Sequence, residues 1–233
     1  MHISKIRILP NYRKPWARRL AKTLASFLRE HGFTPAHKNV DATICIGGDG
    51  TIFYANHRSR ISGAVLGIGS KTSIVCQLKN TNWKNYLVGL LRKGKVEKRQ
   101  RLLANLNKKS FTSMNDIVLH THNYRLIRIF VEISNKRYSF EGDGLIVSTP
   151  TGSSAYAYSA GGSVISPTAK NIQVVPICPY KRTIRPMLLS DSVKIKISAD
   201  RSSDLIIDGI FIMRLRAKQT VTILKGKEIL FLA

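Results

Sequence analysis

The sequence predicts a two-domain protein: an α/β lobe on a parallel sheet over residues 1–95, then a β-rich lobe over residues 96–233. Two observations carry this. In the first 95 residues short apolar strands alternate with amphipathic helices, the pattern of βαβ units. Beyond about Val96 the texture changes to period-two alternation broken by tight turns. The last strands can return to the first lobe.

Ile6 to Leu9 is a short strand, and Trp16, Leu20, Leu24, Phe27 and Leu28 follow at helical spacing, with Gly32 closing that helix. Thr43 to Ile46 is a second strand and Ala64 to Ile68 a third. A second amphipathic helix puts Trp83, Leu87, Leu90 and Leu91 on one face, with Gly94 after it. Asn115 to His120, Tyr124 to Ile133 and Arg137 to Glu141 read as strands, with Ser134-Asn135-Lys136 as a hairpin turn. Val193 to Ile197 alternates strictly, and Leu205 to Ile207 and Ile210 to Leu215 flank the two-residue hairpin signal Asp208-Gly209. Val221 to Leu224 and Ile229 to Leu232 form the final strands around Gly226. No heptads, internal repeats, low-complexity tracts or long linkers appear.

With 233 residues and 43% hydrophobic content, the chain can bury one large core or two modest ones. No apolar run is long enough to span a membrane as a helix, which takes about 18 or more residues. Met1-His2-Ile3-Ser4-Lys5 lacks the apolar core of a signal peptide. Cys45, Cys76 and Cys178 sit singly in apolar runs without metal spacing and read as reduced, buried thiols of a cytoplasmic protein. The net charge of +25 suggests a polyanionic partner, nucleic acid included. The basic residues are spread along the chain, however, with concentrations at Arg13 to Arg19, Arg92 to Arg101 and Lys181 to Arg185. Nucleotides and polyphosphates are polyanions too, and a simply solvated basic surface explains the charge equally well.

Two segments carry the chemistry. After the second strand comes Gly47-Gly48-Asp49-Gly50-Thr51, and then Ile52-Phe53-Tyr54-Ala55 resumes an apolar pattern. A glycine cluster between a buried strand and a helix lets backbone N–H groups close around phosphate oxygens. In open α/β sheets ligands sit beyond the strand C-termini, where Asp49 lies. Its carboxylate would repel a bare phosphate, so it suits a hydroxyl or a metal-bridged phosphate instead. The segment matches neither the P-loop nor the dinucleotide fingerprint, and two turns and a cap could also produce it. The second segment, Gly142 to Gly162, combines an acidic turn at Asp143, a buried strand over Leu145 to Val147, and a Thr149-Pro150-Thr151-Gly152-Ser153 loop that can follow the polar edge of a nucleotide.

Together these segments resemble the NAD kinase family. The resemblance rests on Gly47 to Thr51, on Asn115-Asp116 where the family has Asn-Glu, and on Asp143-Gly144, Thr149 to Tyr156 and Ser159-Ala160-Gly161-Gly162. Pro176 to Tyr180, Arg185-Pro186 and Asp208-Gly209 follow in order, so it covers about Thr43 to Gly209. It implies a Rossmann-like α/β lobe and a β-sandwich lobe, and transfer of a phosphoryl group from ATP or polyphosphate to the adenosine 2′-hydroxyl of NAD, with a divalent cation, Mg²⁺, assisting. Asp49 would accept or orient the hydroxyl proton, with Gly47, Gly48, Gly50 and Thr51 serving the phosphates. Asn115, Asp116, Asp143, Thr151, Ser154, Ala155, Tyr156, Ser159 and Asp208 would serve NAD. No resident metal ligands are expected, and the family's dimers and tetramers imply a homodimer or homotetramer.

By residue type, Asn115 and Asp116 suit ribose and base edges, although such pairs are common in turns. A type I′ hairpin explains Asp208-Gly209 equally well. Tyr156 can stack on a base, whereas Tyr158 fits the core. His57, His120 and His122 show no triad or metal spacing. The family's Gly-Phe-type segment is replaced by Gly67-Ile68-Gly69-Ser70-Lys71-Thr72-Ser73-Ile74-Val75, where Lys71 can supply charge. Ser154 replaces a threonine, Ile210 a glutamine and Tyr180 a histidine. A lipid kinase shares the Gly-Gly-Asp-Gly-Thr segment but not the Asp143 to Gly162 block, and a nucleic-acid module is favoured by charge alone.

Overall fold

The computed structural model describes residues 2–233, and the chain divides into two compact units: one runs to Lys98 and takes in Ile229–Ala233, the other is Arg99–Glu228.

The first unit is a parallel sheet with helices. Its elements are β1 Lys5–Pro10, α1 Pro15–Glu30, β2 Thr34–Pro35, β3 Ala42–Ile46, α2 Asp49–His57, β4 Ala64–Gly69, β5 Leu78–Lys79 and α3 Trp83–Lys93. β3 is buried at every residue, because it pairs in parallel with β1 on one side and β4 on the other. Such a strand must be apolar on both faces, which is why Ala42 to Ile46 shows no alternation. Pro15 opens α1 at a position where its missing N–H costs nothing, and Leu24 and Leu28 turn inward. With Trp83, Leu87 and Leu91 of α3 they pack on Ile6, Ile44, Ile46, Leu66 and Ile68 of the sheet.

The second unit is a sandwich of antiparallel strands. Continuing the numbering, β6 is Val96–Leu106, β7 Lys109–Ser113, β8 Asp116–Thr121, β9 Ile127–Ile133, β10 Lys136–Gly142, β11 Gly144–Ser148, α4 Tyr156–Ser159, β12 Asn171–Ile177, β13 Met187–Ser190, β14 Ile195–Ala199, β15 Ser203–Ile207, β16 Ile210–Leu215 and β17 Val221–Leu232. One sheet runs β13-β12-β11-β8-β15-β16, and β10-β9-β14-β17 belong to the other. Ile117, Leu119, Leu145, Val147 and Leu205 from the first meet Ile129, Val131, Ile195, Ile197 and Ile223 from the second in one core. The central strands of the six-stranded sheet are buried on their other face too. There α4 lays Ala157 against Val118, Ile146, Val175 and Ile177, so β11 is buried at every residue.

Three differences from expectation have local causes. The β6–β7 hairpin was not foreseen because charged and polar residues of β6, from Glu97 to Arg101, mask its alternation. Tyr124 lies outside β9, held in a left-handed turn at φ 57° and fully exposed. The two final strands are a single β17 that passes through Gly226, since pairing continues along it, with Ile223 opposite Ile195 and Phe231 opposite Val65. No described helix is long and apolar enough to cross a membrane.

Candidate active site

In the first unit, the chain leaves β3 at Ile46 and turns through Gly47 and Gly48 into α2. Both glycines hold positive φ, 148° and 114°. A side chain at Gly47 would lie 2.5 Å from Thr51 Oγ1 and 2.6 Å from the Asn11 Cβ, so only glycine fits that turn. The loop after β1 folds over the same strand end, with the Asn11 amide donating to Ile46 O at 2.7 Å. The Lys14 ammonium donates to Gly47 O at 2.6 Å. The result is a cavity of about 240 Å³ whose walls include Gly47 to Thr51, Lys14 and Ser73.

Asp49 lies in this wall, at the first turn of α2, and its carboxylate is engaged. Oδ2 accepts the Ile74 amide at 2.7 Å, and Oδ1 accepts the amides of Val75 and Cys76 at 3.0 Å each. Asp49 thus ties the 70–76 loop to the glycine turn, and Ser70, Thr72 and Ser73 bring hydroxyls to the cavity. A carboxylate offers about four acceptor positions, so Oδ2 keeps one for a ligand proton. Lys71 is exposed and outside the cavity wall, where Lys14 is the cation among the described residues. Sequence reasoning passed over Lys14 as one of a basic run. The parallel pairing of β1 and β3 was the signal, because it sets the loops after both strands side by side.

In the second unit, strand register collects the other motifs. Asp116 opens β8 opposite Ser148, which ends β11, while Ile117 faces Ile207 at the end of β15. Asn115-Asp116, the Thr149 loop and Asp208 therefore meet at one end of the six-stranded sheet. Asp208 and Gly209 form the β15–β16 turn with φ of 51° and 74°, the signs a type I′ turn requires. The Asp208 carboxylate turns inward instead of outward. It accepts Ser113 Oγ at 2.6 Å and the amides of Met114, Asn115 and Asp116 at 2.7 to 3.2 Å. The hairpin is thus present, and the inward Asp208 carboxylate holds the backbone of the Asn115-Asp116 dipeptide in place.

Asn115 Nδ2 donates to Asp116 Oδ2 at 2.7 Å, and Asn115 O accepts the Thr149 amide at 3.0 Å. Thr149 Oγ1 donates to Met114 O at 2.6 Å and accepts the Gly152 amide at 3.1 Å. Two buried carboxyls now lie close together. Burial, then the neighbouring Asp208 charge, push Asp116 up to about 7 against the pull of the Asn115 amide. Burial also raises Asp208, opposed by its Ser113, Met114, Asn115 and Asp116 donors. Because Asp208 accepts from Ser113 and three backbone amides while Asp116 accepts only from Asn115, Asp208 keeps the charge and Asp116 takes the proton.

Past Thr149 the predicted residues separate. Thr151 is buried, and its hydroxyl finds no partner among the described residues. Ser154 is half-buried, while Ala155, Tyr156 and Ser159 are exposed. Ser159 Oγ reaches back to Ala155 O at 3.4 Å. Tyr156 is 41% exposed, and its hydroxyl pKa is raised by burial and by nearby Cys178, Asp116 and Asp143. Asp143 lies at the other end of β11 from Asp116, with its amide on Ile177 O. Tyr158 does not enter the core; it is 59% exposed. Cys178 is likewise exposed, at φ 45°, with its thiol raised by slight burial and by the Asp143 carboxylate. Cys45 and Cys76 are buried as expected, and burial pushes Cys45 up to about 12. His122 lies 3.3 Å from Asp204 on the surface, and His120 Nδ1 lies 2.8 Å from Thr121 O. Among the described residues no three His, Cys, Asp or Glu side chains gather as a metal site.

The family model for the ATP-NAD kinase C-terminal domain matches residues 114–232, which hold Asn115, Asp116, Thr149 and Asp208. An NAD kinase of Chlorobaculum tepidum is 33% identical over 199 residues, 81% of this chain and 70% of that protein. One from Lachnoclostridium phytofermentans is 30% identical over 82% of this chain and 74% of its own length. The yeast NADH kinase, solved with NADH, has the same fold at a TM-score of 0.89, with 22% identity over 99% of this chain and 83% of that one. An Archaeoglobus fulgidus NAD kinase solved with ATP follows at 0.85, 21% identical over 98% and 93%. The glycine turn with its clamped aspartate and the Asn-Asp dipeptide seated on Asp208 thus belong to a chain related over most of its length to these enzymes: it is a member of the NAD kinase family.

Proposed function

We propose that this protein transfers the terminal phosphoryl group of ATP to the adenosine 2′-hydroxyl of NAD, giving NADP and ADP. The bond from phosphorus to the bridging oxygen of ATP breaks, a bond to the 2′-oxygen forms, and the hydroxyl proton leaves. The observation that carries this is the Asn115-Asp116 dipeptide, fixed by Asp208 from behind and by the Thr149 loop at its side. Amide and carboxyl together offer the donors and acceptors that a ribose and a base edge need. Asp116, partly protonated near neutral pH, adds a donor of its own. Tyr156 offers a ring face, and Asp143, Ser154, Ala155 and Ser159 complete the NAD-binding set. Thr151, buried with its hydroxyl unpartnered among the described residues, belongs to the set as well.

The donor's phosphates are assigned to the cavity at Gly47, Gly48, Gly50 and Thr51. Phosphoryl transfer depends chiefly on positioning and charge stabilisation, so a rigid backbone turn with one carboxylate suits it. Asp49 receives or orients the hydroxyl proton through the open position on Oδ2. With one acid in the cavity wall, the divalent cation, Mg²⁺, is assigned to the donor's phosphates and arrives as part of the substrate. Polyphosphate offers the same chain of charges as ATP and is a second donor for the assay. A homo-oligomer working in the cytoplasm, with thiols Cys45, Cys76 and Cys178 unpaired, completes the proposal.

The test is NADP formation from NAD with ATP or polyphosphate, with and without magnesium. NADP formed in a magnesium-dependent reaction is expected. No NADP from either donor with the folded protein would overturn the function.

A further inference from the structure

On that reading of the cavity, we infer that Lys14 is a phosphate-binding residue of the donor site, holding the charge of the bound phosphate chain against that of Asp49. The inference starts from placement. Lys14 ends the loop after β1, where its amide donates to Asn11 O at 3.0 Å and Pro15 begins α1. Its ammonium is thereby carried over the glycine turn. It donates to Gly47 O at 2.6 Å and lies 3.8 Å from where a Cβ on Gly48 would be.

Charge gives the second argument. Among the described residues Lys14 is the sole cation in the cavity wall and Asp49 the sole anion. Lys79 directs its ammonium to Ser73 O and Lys71 stays outside, so neither substitutes for it. A phosphate chain entering beside Asp49 adds several negative charges next to a carboxylate, and without a counter-charge the cavity would repel its ligand. An ammonium has three donors, of which Gly47 O takes one, leaving two for phosphate oxygens. Lysine acts on phosphate as a mobile point charge on a long stem, which suits a group that shifts during transfer.

The experiment compares Lys14→Gln, which keeps a donor but loses the charge, with Lys14→Arg, which keeps the charge. Steady-state kinetics should show the KM for ATP raised about 10- to 100-fold in Lys14→Gln, the loss typical of one hydrogen bond to a charged group. The KM for NAD should hold, and Lys14→Arg should recover most of the loss. Calorimetry with inorganic tripolyphosphate should lose affinity in parallel. An unchanged KM for ATP in Lys14→Gln would overturn the inference. So would a fall in melting temperature with both KM values rising equally, which is what mere support of Gly47 would give. Should Lys14→Gln not fold, the wild-type protein decides the matter: tripolyphosphate should protect Lys14 from amine acetylation read by peptide mass spectrometry, and no protection would overturn it. That measurement reads phosphate binding alone, so a wild-type protein that makes no NADP would sink the proposed reaction and leave Lys14 to be judged separately.

Discussion

Asp49 accepts three amides from residues 74–76, so a substitution there reaches both chemistry and local structure. Asp49→Asn should lower kcat by about 10²–10⁴-fold, the usual contribution of a positioned acid or base. It should also loosen the loop, because the new amide sets an N–H against a backbone N–H. That mismatch costs about 1–3 kcal/mol and is read as a lower melting temperature. NAD affinity, measured by calorimetry, should stay close to wild type. Wild-type turnover by a folded variant would remove Asp49 from the reaction. Asp116 gives a second residue-level outcome, in pH. Its folded pKa of about 7 lies above the ordinary 3.8, so between these values the folded state holds a proton that the unfolded chain releases. Stability from this group is therefore present below pH 4 and lost as pH rises to about 7, on the order of 4 kcal/mol at most. Denaturant titrations at pH 4, 5.5 and 7 should show the gap between wild type and Asp116→Asn shifting toward the variant as pH rises. A gap constant across that range would mean Asp116 titrates as an ordinary carboxylate.

At the scale of elements, the site is made by register. Gly152 shows how tightly the turn after β11 is seated on the start of β8: a Cβ there would lie 2.1 Å from Asn115 O and 2.6 Å from Asn115 C. Both contacts are backbone, so Gly152→Ala must push the 151–154 turn away from the dipeptide. NAD affinity should fall about tenfold or more and stability by about 1–3 kcal/mol, with tripolyphosphate binding unchanged. Calorimetry with each ligand checks it, and equal losses for both would mean the damage is global. The sequence made β3, β4, β8 and β11 legible, because buried strands between turn residues declare themselves. It also marked the residues of both clusters as candidates, but glycines and acids at strand ends serve turns as readily as sites. It could not show what those acids face. The partners of Asp49 lie 25 to 27 residues downstream and those of Asp208 more than 90 upstream. Contacts that distant exist only once the sheet is assembled. Tyr158 and Cys178 failed for the opposite reason: each stands in an apolar stretch, yet the short α4 and the left-handed turn at Cys178 face them outward.

For the whole molecule the main tension is between charge and exposed apolar surface. With 38 Lys and Arg against 13 Asp and Glu, copies of the chain repel each other at low salt. Yet the six-stranded sheet ends in two open edges, and each carries a large apolar side chain in water: Leu188 on β13, 60% exposed, and Phe211 on β16, 56% exposed. Edge strands with unpaired backbone groups and apolar side chains invite pairing unless something covers them. Association of identical copies in a closed, symmetric arrangement would cover them without open-ended growth. The repulsion is screened beyond about 8 Å at physiological ionic strength, whereas burial of apolar area is contact-range and insensitive to that screening. We therefore expect a homodimer or homotetramer at physiological salt that loosens toward smaller species as salt is lowered. Light scattering across a salt series measures it directly, and Leu188→Lys or Phe211→Lys should shift the distribution toward monomer. A fully active monomer at every salt and protein concentration would show that these edges stay open and that the charge, not the apolar edge, governs the surface.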